Sequence, residues 1–139
     1  MKKQKNISKG KTIQKVRNLK NNRKRGNSYE VKIAKELREL GFPGVKTSRS
    51  ESKSMDDKKV DLVDTEGKLF FYPQLKKLGR MPNYFTIEKE CPLKDKPFVV
   101  FWDYQVPTAQ TFRSAGEVVI IPKSFFYELI KHYNDKRTL

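Results

Sequence analysis

The chain of 139 residues has one cysteine, one histidine and one tryptophan, and these scarcities exclude several chemistries. A lone Cys91 cannot close an intrachain disulfide, which favours a reducing compartment: the cytoplasm, or a host's cytoplasm for a viral source. With no histidine near it in sequence, Cys91 reads as a packed thiol rather than a nucleophile. His132, the single imidazole, rules out a histidine-based metal centre and reads as solvated beside Lys131. No apolar run is long enough to span a bilayer, and no apolar signal-peptide centre follows the basic start, so no membrane partner is expected. Gly26 and Gly41 stand alone, so there is no glycine-rich phosphate loop, and no internal repeat is visible.

Acids are missing from the first 25 residues, which hold 11 of the 31 Lys and Arg. The net charge of +15 therefore divides into +11 for residues 1–25 and +4 for the rest. Ile7, Ile13, Val16 and Leu19 are too sparse to build a core, so 1–25 is expected to be a disordered nucleic-acid-binding tail until it meets a polyanion. A mitochondrial presequence is also basic and acid-free, but this segment is Lys-rich and poor in Ser. Residues 26–139 suffice for one packed α/β domain.

Periodicity predicts a helix over 27–40, with Ile33, Ala34, Leu37 and Leu40 on its apolar face, ended by Gly41-Phe42-Pro43-Gly44. A short extended stretch over 45–48 follows, then a polar, aperiodic stretch, 48–58, that reads as a mobile loop. Alternation predicts a strand over 59–63, a turn at 64–67 and a strand over 68–76, the two strands forming a hairpin. Further on come a short helix over 82–89, a central strand over 98–102, a strand over 118–121 and a closing helix over 124–133. That helix should turn Phe125, Phe126, Leu129 and Ile130 inward. Helix, three strands, helix, two strands, helix describes an α/β sandwich. Trp102 and Tyr104, at a strand end, read as core or rim rather than as a base-stacking platform.

One acid breaks the pattern. Glu30 lies at i−3, i−4 and i−7 from Ile33, Ala34 and Leu37, on the face that should be buried, where a carboxylate needs a partner. A capping box, Asn27-x-x-Glu30, would supply one locally. Downstream, Gln74 and Lys76 emerge on one face of their strand, and Asp61 on the neighbouring strand can converge with them. With the helix packed over that face, Glu30 reaches them as well. Two carboxylates, the Gln74 amide oxygen and the Leu75 carbonyl make an oxygen-rich set suited to hard Mg²⁺, with Mn²⁺ as substitute. Glu51, Asp56 and Asp57 could reach a metal but, in the Lys-rich loop, read as solvated, and Asp64 reads as a turn residue.

Arg25-Gly26-Asn27-Ser28-Tyr29-Glu30, Gly41-Phe42, the polar 48–58 stretch, Val60-Asp61-Leu62-Val63 and Gln74-Leu75-Lys76 together resemble the PD-(D/E)XK nuclease superfamily. Within it, they resemble the archaeal and phage-type Holliday junction resolvases. The likeness covers roughly residues 25–77. It implies a restriction-endonuclease-like core, a mixed central sheet of about five strands flanked by helices, and a homodimer that cuts branched DNA. It makes Glu30, Asp61, Gln74 and the Leu75 carbonyl metal ligands, with Lys76 orienting the attacking water. Arg23, Lys24, Arg25, Ser48, Arg49, Ser50, Lys53, Lys58, Lys59 and Lys77 are the expected nucleic-acid contacts. Two departures stand out. Gln74 replaces the usual Glu and removes one negative charge. Pro73 sits inside the motif strand, where its missing N–H demands a bulge or one-sided pairing.

Three other functions fit parts of the sequence. A nuclease of ordinary duplex DNA needs the same site. A non-catalytic nucleic-acid-binding protein on the same fold accounts for Gln74 as a decayed ligand. A ribosomal or RNA-packaging protein accounts for the tail but offers no reason for Glu30.

Overall fold

The computed structural model describes residues 22–137. The expected tail falls almost wholly outside that range; residues 22–25, assigned to it from charge, are instead part of the first helix. This helix, α1, spans residues 22–39. Tyr29, Ile33, Ala34 and Leu37 share one stripe and are all buried, and an aliphatic side chain so buried contributes about 2 kcal/mol. Leu40 lies past the helix and is exposed, which corrects its place on the apolar face.

A Schellman-type stop ends α1. Gly41 takes φ 110°, and the N–H groups of Phe42 and Gly41 donate to the carbonyls of Leu37 (3.1 Å) and Arg38 (3.2 Å). Phe42 then packs back onto the cluster that holds Leu37. Because α1 includes Asn27 well inside it, Asn27 is no N-cap, and the capping-box account of Glu30 falls.

Strand β1 (Val45–Thr47) follows, then two short helices, α2 (Ser48–Glu51) and α3 (Lys53–Asp57), where a mobile loop was expected. Ser52 caps α3 by accepting the Met55 N–H, and Met55 anchors the segment against a core cluster. One apolar anchor leaves no periodicity, so the sequence pattern missed both helices. Next come β2 (Leu62–Asp64), β3 (Tyr72–Leu78), α4 (Tyr84–Glu90), β4 (Phe98–Pro107), β5 (Phe112–Ile120) and α5 (Lys123–Arg137).

The described residues thus form a mixed α/β fold with five strands in two sheets. β1 and β2 pair antiparallel, while β3, β4 and β5 form a mixed sheet. β3 runs parallel to β4, with α4 in the connection, and β5 runs antiparallel to β4 with a bulge at Tyr104/Gln105. Both late strands are longer than 98–102 and 118–121 suggested.

The expected hairpin of 59–63 with 68–76 does not form as a ladder. Asp64 accepts the N–H groups of Glu66, Lys68 and Leu69, so residues 68–71 curl round its carboxylate instead of pairing. Pro73 offers only its carbonyl, which takes the Asp61 N–H at 2.9 Å. Its pairing is therefore one-sided.

Core clusters line both faces of the β3–β4–β5 sheet. Leu75, with Phe71 and Phe101 beside it, meets the α1 stripe on one face. Phe98 and Val100 meet Val60, the buried Cys91 and Ile87 of α4 on the other. α5 closes the fold only at its start. Phe125 is buried against Phe70, at 5.9 Å between ring centroids, while Phe126, Leu129 and Ile130 are exposed, contrary to expectation. Among the described residues no helix is long and apolar enough to cross a membrane.

Candidate functional site

The break between β2 and β3 creates the site. Asp61 precedes β2 and is fixed through its backbone, its carbonyl accepting the Ser48 N–H at 2.8 Å while its N–H meets Pro73. Its carboxylate then accepts the Leu75 N–H at 2.8 Å, doing at the edge of β3 what a neighbouring strand would otherwise do. Burial pushes this carboxyl from its ordinary 3.8 up to about 7. The Leu75 N–H opposes that rise, the Glu30 charge adds to it, and the Lys76 charge opposes it.

Glu30 is partly buried, as its place on α1 dictates, and its carboxyl is raised mainly by burial. Arg49 of α2 relieves it, donating Nε–H to Glu30 Oε2 at 3.2 Å. The charges of Glu30 and Lys76 therefore both act on Asp61. The route differs from the one expected. Leu75 belongs to the α1 cluster, so by strand alternation Gln74 and Lys76 face away from α1. Asp61, at the strand edge, is what links Glu30 to Lys76.

Gln74 is 7% exposed, and its Oε1 has no hydrogen-bond partner among the described residues. A buried amide oxygen without a donor costs about 1–3 kcal/mol, so it marks a place for an absent donor or cation. Among the described residues no three His, Cys, Asp or Glu side chains form a group able to hold a metal. A cation at Asp61 would have the Asp61 and Glu30 carboxylates, with the Gln74 amide on the face of β3 away from α1, and would draw its remaining ligands from the backbone and water. That donor set is all oxygen, which fits a hard divalent ion.

The expected nucleic-acid contacts divide. Arg23, Lys24, Lys53 and Lys59 are exposed, and Lys58 and Lys77 partly so. Arg49 is shared with Glu30, and Ser50 donates to the Thr47 carbonyl. Arg25 turns toward the β4–β5 hairpin, donating to Gln105 Oε1 at 3.1 Å and lying 4.5 Å from the Phe112 ring centroid. Ser48 is fully buried, with its hydroxyl toward Asp56 Oδ1 at 3.4 Å, and leaves the contact set. Its role is to hold α2 against Asp61.

Asp56 is the residue the sequence undervalued. Exposed as expected of a solvated acid, it nevertheless acts on both Glu30 and Asp61 through its charge. The sequence admits it as an acid able to reach a metal yet sets it aside as solvated, because its position depends on α3. Comparison of the chain with protein-family models, with curated proteins and with solved structures finds no match.

Proposed function

We propose that the chain is a metal-dependent endonuclease with a restriction-endonuclease-like core, resembling the PD-(D/E)XK superfamily, that hydrolyses phosphodiesters of branched DNA. The observation that carries this reading is Asp61: a half-buried carboxylate, bonded to the Leu75 N–H, under the charges of Glu30 and Lys76. Glu30, Asp61, the Gln74 amide and the Leu75 carbonyl are the proposed ligands of Mg²⁺ or Mn²⁺. When bound, such an ion polarises the scissile phosphate and acidifies a coordinated water.

The chain's own residues do the rest. Asp61 is held rigid by three hydrogen bonds, two through its backbone and one through its side chain. Arg49 keeps Glu30 in place by its guanidinium, and its largely exposed side chain leaves it able to meet a phosphate as well. Lys76 orients the attacking water or balances negative charge building on the phosphate. Exposed Lys and Arg around α2 and α3, with the tail, neutralise the backbone without reading bases. Two copies of the site in a homodimer would select a junction by its shape.

Gln74 favours one rival reading, a non-catalytic DNA-binding protein, because it leaves the site one carboxylate short. The deciding experiment offers a synthetic four-way junction and its linear duplex to the protein with Mg²⁺, Mn²⁺ or chelator, with Asp61→Asn alongside. Metal-dependent junction cutting that Asp61→Asn abolishes supports the enzyme. Junction binding without cutting in either metal supports the rival, and equal cutting of both substrates supports a general duplex nuclease.

A further inference from the structure

The second half of β4 is built inside out. On a half-buried strand apolar side chains face the core and polar ones face water. Here Asp103 and Gln105 are buried, at 4% and 3% exposure, while Tyr104 is 39% exposed and Trp102 half-buried on the opposite face. The polar residues are held inward by Ser114, whose hydroxyl donates to Asp103, and by Arg25 on Gln105. An aromatic pair kept toward water at the expense of burying an acid and an amide points to a surface that binds something.

The geometry of that surface is ordered. The two rings lie 5.3 Å apart between centroids, and the Trp102 indole N–H donates to the Leu78 carbonyl at 3.0 Å, which fixes the ring. Across the sheet Trp102 lies level with Lys76 and Val118, and Tyr104 with Leu78 and Gly116. Gly116 has no side chain to cover the tyrosine ring. Val118 is 52% exposed, and α4 packs farther along β4, against Phe98. The row thus starts at a cation, Lys76, with a second, Arg80, exposed just past the end of β3.

We infer that Trp102 and Tyr104 form a stacking platform for unpaired bases of a nucleic-acid strand whose phosphates are met by Lys76 and Arg80. Flat rings beside cations suit a base and its phosphate, and stacking tolerates any sequence because every base has a π-face. Duplex bases keep those faces covered, so the ligand is single-stranded or unstacked nucleic acid, as at a branch or a frayed end. A platform already fixed by the Trp102–Leu78 bond loses little entropy on binding. Only the closeness of this platform to a scissile phosphate rests on the nuclease reading.

Because the chain has a single tryptophan, its emission reports this surface directly. The full chain is titrated with oligothymidine, and with long duplex at equal phosphate concentration, in chelator so that no cutting can occur. Single strand should quench Trp102 saturably and duplex should quench it little. Tyr104→Ala should weaken oligothymidine binding roughly tenfold, measured by anisotropy of a labelled strand, and Tyr104→Phe should restore it, with circular dichroism confirming both folds. Equal quenching by duplex, or an unaffected Tyr104→Ala, would overturn the inference. So would emission that follows protein concentration alone, which would mark the face as a contact between copies of the chain. Failure of the nuclease reading is seen separately, as absent cleavage with quenching intact.

Discussion

Replacing Asp61 by Asn should stabilise the metal-free protein while removing its proposed function. The wild-type carboxyl titrates at about 7 in the fold against an ordinary 3.8, so the folded state holds its proton more tightly than the unfolded chain. Such a group stabilises most at low pH, and its contribution is lost as pH rises from about 4 through about 7. The gap between those values corresponds to roughly 4 kcal/mol, and water at the rim of the site reduces this to about 2 kcal/mol. Asn keeps an oxygen to accept the Leu75 N–H but carries no charge to desolvate. Urea unfolding of both proteins in chelator should then agree within about 1 kcal/mol near pH 4 and diverge by about 2 kcal/mol in favour of Asn near pH 8. Saturating Mg²⁺ should reverse the order at pH 8 by stabilising the wild type alone. If Asn is destabilised equally at every pH, the Asp61 carboxylate is a structural acceptor and not a strained site group.

Gln74→Glu should tighten Mn²⁺ binding about tenfold by adding a charged ligand, read by calorimetric titration; unchanged affinity would place residue 74 outside the metal shell. Cleavage need not rise with it, since tighter binding of the resting ion is not transition-state stabilisation. Phe125→Ala should cost about 3 kcal/mol in a denaturant melt and Phe126→Ala less than about 1, because only the first is buried; equal costs would contradict the way α5 docks. Deleting residues 1–21 removes eight cations and no acid, so non-specific DNA affinity should fall and its log–log salt slope flatten, with an unchanged thermal transition. An unaltered slope would assign the tail another task.

The linear pattern determined those features that depend on near neighbours. The α1 stripe of Ile33, Ala34 and Leu37 follows from helical spacing, its stop from Gly41, and the turn at Asp64 from the residues around it. Strand alternation likewise put Gln74 and Lys76 on a common face, and charge alone separated a basic start from a nearly balanced body. Tertiary structure decided what depends on distant partners. The α2–α3 pair is held by Met55 and by the buried Ser48, single anchors that leave no period to read. The strand pairing turned on Pro73 and on an Asp61 side chain that takes a backbone N–H, a competition that spacing does not resolve. The face of β3 that α1 covers was set by Leu75, so Gln74 and Lys76 face away from it, and Glu30 and Lys76 meet only in their action on Asp61. Similarly, β4 turns Asp103 inward and Tyr104 outward. Its register is fixed by ladders on both sides, and Ser114 and Arg25 hydrogen-bond the acid and the amide that this register buries, so distant partners settle which side chains face inward.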